Sequence, residues 1–206
     1  MTPMETNLKV LALNCTLKPS PGESSTDVII EELLEQFRGH GVAGETVRVV
    51  DYDVKPGVEA DMGHGDQWPL IAEKIKASDV LIFATPTWVG HMSSVAQRVL
   101  ERLDSALSET DEQGRPVMFG KVAIVAVVGN EDGAHAIIAD AFQGLNDIGF
   151  TIPAQGATYW NHEAMNPKDY KDLDQTPEAV AATNKTSASN AVHLAQQLRA
   201  SLYPAP

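Results

Sequence analysis

The sequence predicts an α/β fold with a doubly wound, five-stranded parallel sheet that carries helices on both faces. Short apolar runs of strand length alternate with longer segments of helical period, and this alternation occurs five times along the 206 residues. The runs are apolar throughout, which is typical of parallel strands buried on both faces. We therefore expect residues 1–206 to form a single domain around one sheet.

The strands are predicted from the apolar runs in chain order. The first run is short and ends at a turn former, Asn14, before a loop rich in hydroxyl groups. The last is expected to end at Pro153, because proline has no N–H to donate to a neighbouring strand. The predicted strands are 8–14, 45–50, 79–85, 121–128 and 149–153.

The helices are predicted from apolar residues at helical spacing, with stop signals such as Gly39 and Gly41 after the first of them. Pro177 lies in the first turn of the last helix, where proline is tolerated. The stretches 51–67 and 159–176 are polar, and they predict a surface connection and an ordered loop near the ligand edge, respectively. The predicted helices are 28–37, 68–77, 95–103, 136–148 and 176–202.

Composition excludes several classes of partner and site. Fifteen basic and 28 acidic residues give a net charge of −13, which disfavours nucleic acid and anionic membranes as partners. No apolar stretch approaches the ~20 residues of a membrane span, and the first residues lack a secretory signal, so we expect a cytoplasmic protein. A single cysteine, Cys15, excludes an intrachain disulfide and an all-cysteine metal site, and no metal centre is predicted.

Three polar or glycine-rich loops follow the first, third and fourth predicted strands, at the edge where ligands of open α/β sheets collect. The first contains Ser24, Ser25 and Thr26 directly before a helix, which predicts an anion site at the helix N-terminus. The alternative is an N-cap that satisfies only the helix. A G-x-G-x-x-G pattern over 39–44 follows a helix and precedes a strand, which is the wrong context for a dinucleotide fingerprint.

With these loops the chain resembles the flavodoxin-like superfamily, and within it the NADPH-dependent FMN reductase and NAD(P)H:quinone reductase branch, over roughly 9–157. The resemblance implies strand order 2-1-3-4-5, FMN at the switch point between strands one and three, NAD(P)H as co-substrate, and a homodimer or homotetramer. It places the FMN phosphate on Thr16, Lys18, Ser24, Ser25 and Thr26. It places the flavin ring against Pro86, Thr87, Trp88, Val89 and Gly90, with Gly129, Asn130 and Gly133 on the other flank.

The sequence departs from the family at one point. Many of these reductases have Gly-Ser-x-Arg after the first strand, where this chain has Asn-Cys-Thr-Leu-Lys over 14–18. Lys18 is then the nearest substitute for the arginine. Backbone amides and hydroxyls supply most donors in such a loop, so the phosphate assignment is retained.

The resemblance implies an oxidoreductase that passes hydride from a nicotinamide through FMN to a small acceptor, a flavin or a quinone. No catalytic side chain is predicted, because the flavin carries the chemistry. The first alternative is a flavodoxin-type electron carrier without its own NAD(P)H oxidase activity, which a charge of −13 suits for docking on basic partners. A second alternative is a binding module of the same fold that has lost its cofactor.

Several side chains near the loops have two interpretations. Trp88 is predicted to contact the flavin, and the alternative is packing between helix and sheet. His91 and His135 either donate to a reduced flavin or a quinone, or simply cap helices or face solvent. Cys15 is interpreted as a small buried apolar group. Tyr159, Trp160 and His162 either close over the flavin, serve a neighbouring subunit, or pack on the last helix.

Overall fold

A computed structural model describes residues 7–205 and arranges their strands in one sheet. The strands over 9–14 and 122–128 arise from apolar runs and are buried almost along their whole lengths, whereas the strand over 43–48 is mostly exposed. Within the described part of the chain, no helix is long and apolar enough to cross a membrane. The strands are β1 (Lys9–Asn14), β2 (Ala43–Arg48), β3 (Val80–Trp88), β4 (His91–Met92), β5 (Val122–Val128) and β6 (Ala157–Trp160).

The main path of the sheet is β2-β1-β3-β5-β6, and all of its pairs are parallel. The predicted class, a doubly wound parallel sheet, is confirmed. The order differs from 2-1-3-4-5 by one element, because β4 is a two-residue strand off the main path that the sequence analysis did not predict. The order reverses between β1 and β3, where the strand ends of an open sheet leave a crevice for a ligand.

Helices cover both faces of this sheet, as predicted. Alternate residues of β1 point to opposite faces, so Val10 and Ala12 join one apolar cluster while Leu11 and Leu13 join the other. The helices are α1 (Ser25–Gly39), α2 (Trp68–Lys76), α3 (Ser94–Leu103), α4 (Ala134–Ile148) and α5 (Glu178–Ala200). The first cluster packs on α1 and α5, and the second packs on α2, α3 and α4.

The predicted strand 149–153 is wrong. Thr151 forms only an isolated bridge to Val122, and Pro153, which lacks an N–H, ends that pairing. The fifth parallel strand is β6, four residues later, and its last two residues, Tyr159 and Trp160, lie in the stretch 159–176 that is predicted to be a loop. This edge strand has only four residues, too few to give a recognisable periodic pattern.

The loop predicted after the third strand is instead a β-hairpin. β3 continues through Pro86, Thr87 and Trp88, turns at Val89 and Gly90, and pairs antiparallel with β4. Both turn residues have positive φ, 53° and 75°, as a two-residue hairpin turn of type I′ requires. The hairpin carries the end of β3 outward along the edge where the ligand crevice lies.

The polar connection between β2 and α2 is ordered by one buried ion pair. Arg102 of α3 and Asp66 are both 0% exposed, and a guanidinium nitrogen lies 2.7 Å from the carboxylate. Arg102 also donates to main-chain carbonyls of Lys55, Glu59 and Ala60. The connection is thus packed against α3 and is not a free surface loop.

Candidate functional site

The carboxyl ends of β1, β3 and β5 meet at one edge of the sheet and border a cleft. The cleft has a volume of about 100 Å³, below the ~300–1,000 Å³ of sites that bury a whole small ligand. A ligand larger than a phosphate group would therefore extend into the open part of the cleft. The lining residues are Thr16, Leu17, Lys18, Ser24, Ser25, Thr26, Pro86, Thr87, Trp88, Val128, Gly129, Asn130, Glu131, Trp160, Asp169 and Tyr170.

Every residue predicted for the flavin loops lines this cleft except Val89, Gly90 and Gly133. Val89 is 85% exposed at the tip of the hairpin. A side chain at Gly133 would meet the carbonyl oxygen of Gly90 at 2.5 Å, so this glycine allows the loop after β5 to pack against the hairpin. These residues shape the turn and its contact with the loop beside it.

The loop between β1 and α1 presents hydroxyl groups that keep their protons. The Thr16 hydroxyl accepts from the Lys18 amide at 3.3 Å, and the Ser25 hydroxyl accepts from the Lys171 amide at 3.3 Å. Each hydroxyl therefore retains a proton to donate. Ser24 acts as the N-cap, since its hydroxyl accepts from the Thr26 amide at 3.1 Å. The Lys18 side chain, which is exposed, supplies a cation at the same edge.

Arg48, at the end of β2, holds this loop in place, and the sequence analysis assigned it no role. Its guanidinium donates to the carbonyls of Gly22 at 2.7 Å and Lys18 at 3.3 Å, and pairs with the carboxylate of Asp27 in α1. Asp27 also accepts from the Asn14 side chain, whose carbonyl oxygen in turn accepts from the Thr16 amide at 2.9 Å. One chain of polar contacts thus connects β2, α1 and the loop.

A second tether holds the same loop farther along. The Ser20 hydroxyl and amide both donate to the carboxylate of Asp51, at 2.6 and 2.8 Å. The Ser20 hydroxyl, followed by the Ser20 amide, lowers the pKa of Asp51 below its usual range. The loop is therefore held from β2 and from the turn after it.

The β3 hairpin contributes a buried hydroxyl to the cleft. Thr87 is 5% exposed, and its hydroxyl has no hydrogen-bond partner among the described residues. It faces Gly129, where an added Cβ would lie 2.9 Å from the Thr87 Cβ, so glycine leaves room for the hairpin at this wall. Trp88 lines the cleft and is 49% exposed, which does not fit packing between helix and sheet.

The far wall is formed by residues that come late in the chain, of which the sequence analysis considered only Trp160. The Tyr170 ring lies 5.3 Å from the Trp160 ring, and its hydroxyl donates to Glu32 at 2.5 Å. Burial, reinforced by the Glu32 carboxylate, raises the pKa of Tyr170 well above its usual range. Asp169 lines the cleft beside it. No local motif marks Asp169 or Tyr170 in the sequence.

Other polar and aromatic candidates lie away from the cleft lining. Cys15 is buried, and burial raises the pKa of its thiol well above the usual range, so it remains protonated. His135 and Tyr159 contact each other at 3.1 Å on the surface. His162 stacks on Trp160 at 5.3 Å. Within residues 7–205, no group of three His, Cys, Asp or Glu side chains is arranged to hold a metal ion.

The profile of a protein family described as NADPH-dependent FMN reductase matches residues 8–165 of this chain. The matched part contains β1 to β6 and all three loops. Asp169 and Tyr170 lie beyond it.

The chain is also similar to individual proteins. It is 30% identical over 208 residues to 8-demethyl-8-aminoriboflavin-5′-phosphate synthase of Streptomyces davaonensis, covering 95% of this chain and 80% of that protein. It is 36% identical over 200 residues to a protein of Mycobacterium bovis named divalent metal cation transporter MntH. That match covers 94% of this chain but 29% of the transporter, so this chain spans less than a third of that relative.

A solved structure agrees closely with the fold. The crystal structure of RosB with the bound intermediate 8-demethyl-8-formylriboflavin-5′-phosphate superimposes with a TM-score of 0.87 at 29% identity, covering 95% of this chain and 82% of that one. The share of this chain that the superposition covers is larger than the part matched by the family profile.

Proposed function

This chain belongs to the NADPH-dependent FMN reductase family, and from that premise we propose that its cleft binds riboflavin 5′-phosphate (FMN). We further propose that the protein oxidises NAD(P)H and reduces a small acceptor, a free flavin or a quinone. In that reaction NAD(P)H and one proton supply two electrons and two hydrogens, and the products are NAD(P)⁺ and the reduced acceptor. FMN, when bound, supplies the redox chemistry.

The residues at the first loop fit a phosphate group. The hydroxyls of Thr16 and Ser25 have protons to donate, Lys18 provides a positive charge, and the N-terminus of α1 provides the positive end of a helix dipole. The whole cleft that these residues help to line has a volume of about 100 Å³, which is enough for a phosphate group but not for a whole flavin phosphate. The chain binds and orients the anion here without the loop arginine usual in the family.

Thr87 is the observation that carries the proposal. A buried hydroxyl without a partner destabilises the free protein by roughly 1–3 kcal/mol, so such groups are uncommon unless a ligand completes them. Thr87 lines the cleft, and its hydroxyl lies beside Gly129, whose lack of a side chain leaves room for it. A flavin offers hydrogen-bonding atoms along its edge, and Thr87 is the residue we expect to bind one of them.

A pair of matched substitutions tests this. Thr158 in β6 also has a buried hydroxyl without a partner in the described part of the chain, but it does not line the cleft. We expect both Thr87→Val and Thr158→Val to raise the free energy of unfolding by about 1 kcal/mol, because each removes an unsatisfied hydroxyl. Only Thr87→Val should weaken FMN binding, by about tenfold in Kd measured by flavin fluorescence. Equal effects of the two substitutions on Kd would contradict the assignment.

Two measurements distinguish FMN binding from reductase activity. Flavin absorption bands that persist after FMN addition and desalting would establish tight binding, whereas a colourless protein would require a fluorescence titration to detect weaker binding. Steady-state NAD(P)H oxidation, with a flavin or quinone as acceptor, tests the reductase activity. A protein that holds FMN but oxidises neither NADH nor NADPH would be an electron carrier and not a reductase.

A second candidate function is supported by the similarity to the Streptomyces davaonensis protein. That relative is named for the synthesis of a modified riboflavin 5′-phosphate, and this chain covers 80% of its length at 30% identity. In this alternative FMN is a substrate of the cleft. Mass spectrometry of flavin recovered after incubation with the protein distinguishes the two, because a reductase returns unmodified FMN.

We also propose that the chain forms a homodimer or homotetramer. Apolar side chains remain exposed around the cleft mouth, among them Leu17, Val89 and Met165. Light scattering of the purified protein measures the assembly directly, and a monomer at micromolar concentration would refute this part of the proposal.

A further inference from the structure

Residues 165–172, here called the crossing segment, connect the two walls of the cleft. At one end the Met165 amide donates to the Asn130 carbonyl at 2.8 Å, and the Asn130 side chain donates to the Asn166 carbonyl at 2.7 Å. At the other end the Lys171 amide donates to the Ser25 hydroxyl at 3.3 Å. The crossing segment therefore runs from the loop after β5 to the end of the cleft formed by Thr16, Lys18 and Ser25, here called the phosphate end.

Tyr170 fixes the middle of the crossing segment. Its side chain is 2% exposed, its ring packs on Trp160, and its hydroxyl is held by Glu32 of α1. Glu32 accepts a second hydrogen bond from Thr176 at 2.5 Å. The residue immediately before Tyr170 is consequently held at the cleft wall and cannot swing away with a flexible loop.

That residue is Asp169, whose carboxylate differs chemically from the rest of the phosphate end. Thr16, Ser25 and Lys18 are donors there, whereas a carboxylate accepts hydrogen bonds and donates none. Within residues 7–205 no donor bonds this carboxylate, and no cationic side chain lies within 4.0 Å of it. A phosphate only accepts, so Asp169 is not suited to bind the phosphate itself.

We propose that Asp169 is a specificity-determining residue that accepts a hydrogen bond from a hydroxyl of the sugar-alcohol chain of a flavin phosphate. This inference rests on the proposed binding of FMN. The chain hydroxyls are the donors that lie next to the phosphate in such a ligand, and Asp169 lies next to the phosphate end of the cleft through Lys171 and Ser25. The site then selects ligands that carry a polyol between ring and phosphate.

A ligand pair and a residue pair together test this role. The ligands are FMN and a flavin phosphate in which a plain pentyl chain replaces the ribityl chain, which removes the hydroxyls and keeps ring and phosphate. The substitutions are Asp169→Ala and, as a control of equal charge change, Asp174→Ala. The Asp174 side chain is fully exposed and does not line the cleft. Kd is measured for all combinations by quenching of flavin fluorescence.

We expect Asp169→Ala to weaken FMN binding at least about tenfold while leaving the pentyl analogue unchanged or bound more tightly. The tighter binding would follow from removing a negative charge beside the phosphate loop. Asp174→Ala should change neither Kd by more than about twofold. Asp169→Asn retains an acceptor oxygen and should recover part of the FMN affinity.

Three results would overturn the assignment of Asp169. Equal weakening of both ligands would mean that the residue only supports the fold of the crossing segment, and no weakening of either would mean that it does not contact the ligand. If the unsubstituted protein bound the pentyl analogue and FMN equally well, the hydroxyls would not be recognised at all. Failure of the unsubstituted protein to bind either flavin phosphate would instead refute the proposed function.

Discussion

Two loops of this chain are each held by an arginine that binds main-chain carbonyls and one aspartate, and they differ in what they leave unbound. In the connection before α2, Arg102 meets Asp66, and both are fully buried. In the loop after β1, Arg48 meets Asp27, and their side chains are 13% and 36% exposed. The same contacts organise a closed loop in one place and an open loop in the other.

The difference lies in the side-chain hydroxyls of the two loops. Asp66 accepts from the amides of Lys55, Met62 and Trp68, so the polar groups of the buried loop bond to one another. Main-chain amides of the loop after β1 are bonded as well, but the hydroxyls of Thr16 and Ser25 keep a proton to donate at the cleft. A loop whose donors bond internally contributes stability, and one that keeps hydroxyl protons at a cleft is prepared for an anion.

The largest expected effect comes from breaking the buried pair. Asp66→Ala should lower the free energy of unfolding by about 3–5 kcal/mol, because it leaves the Arg102 charge buried without its partner. Glu45→Ala, which breaks the exposed pair with Lys74, serves as the control and should cost below about 1 kcal/mol. Denaturant titration measures both. Similar losses for the two substitutions would refute the distinction between the loops.

Acid should weaken the same buried pair. Burial alone raises the pKa of Asp66, but the hydrogen bonds from Arg102 and the three amides outweigh burial and hold it well below its usual range. The folded pKa is thus depressed, so the contribution to stability is present above the unfolded pKa of ~3.9 and is lost as pH falls below it. The free energy of unfolding between pH 6 and 3 should fall less steeply in Asp66→Ala. Parallel pH profiles would contradict this account.

Substitution of Arg48 should reduce stability less than substitution of Asp66 and should reduce ligand affinity more. Arg48→Met should weaken FMN binding about tenfold, equivalent to about 1.4 kcal/mol, because the loop loses its alignment while its donors remain. Arg38→Met removes an exposed arginine whose ion pairs, within residues 7–205, are with Glu31 and Glu35 of α1, and it should leave Kd unchanged. Fluorescence titration measures both. If Arg48→Met lost as much stability as Asp66→Ala and lost no affinity, Arg48 would stabilise the fold without aligning the loop for binding.

The fold was predictable because burial on both faces makes the central strands continuous apolar runs. β1 and β5 have that pattern, whereas β6 is a four-residue edge strand and β4 is a two-residue return of a hairpin. For such short strands the pairing partner decides the conformation, and the local sequence does not. The predicted strand 149–153 was wrong because its pairing stops at the single bridge of Thr151, and Pro153 has no N–H with which to continue it.

The cleft was predictable where it is built from loops that directly follow strands. Arg48, Asp169 and Tyr170 were not, because each acts on a loop distant in sequence and none belongs to a local pattern. Arg48 reaches Gly22 across 26 residues, and Tyr170 reaches Glu32 across 138. Their roles depend on the sheet order and on the return of the chain to α1. Neither can be read from the spacing of residues in a local segment of the sequence.

The hydrogen bond between Lys171 and Ser25 joins residues 146 positions apart. During synthesis the loop after β1 leaves the ribosome well before the segment that completes its cleft. Contacts of such high sequence separation form late, after the closure entropy of a long loop has been overcome. A chain that ends before Lys171 will therefore possess the sheet strands without a finished pocket, and ligand uptake must follow synthesis of that segment.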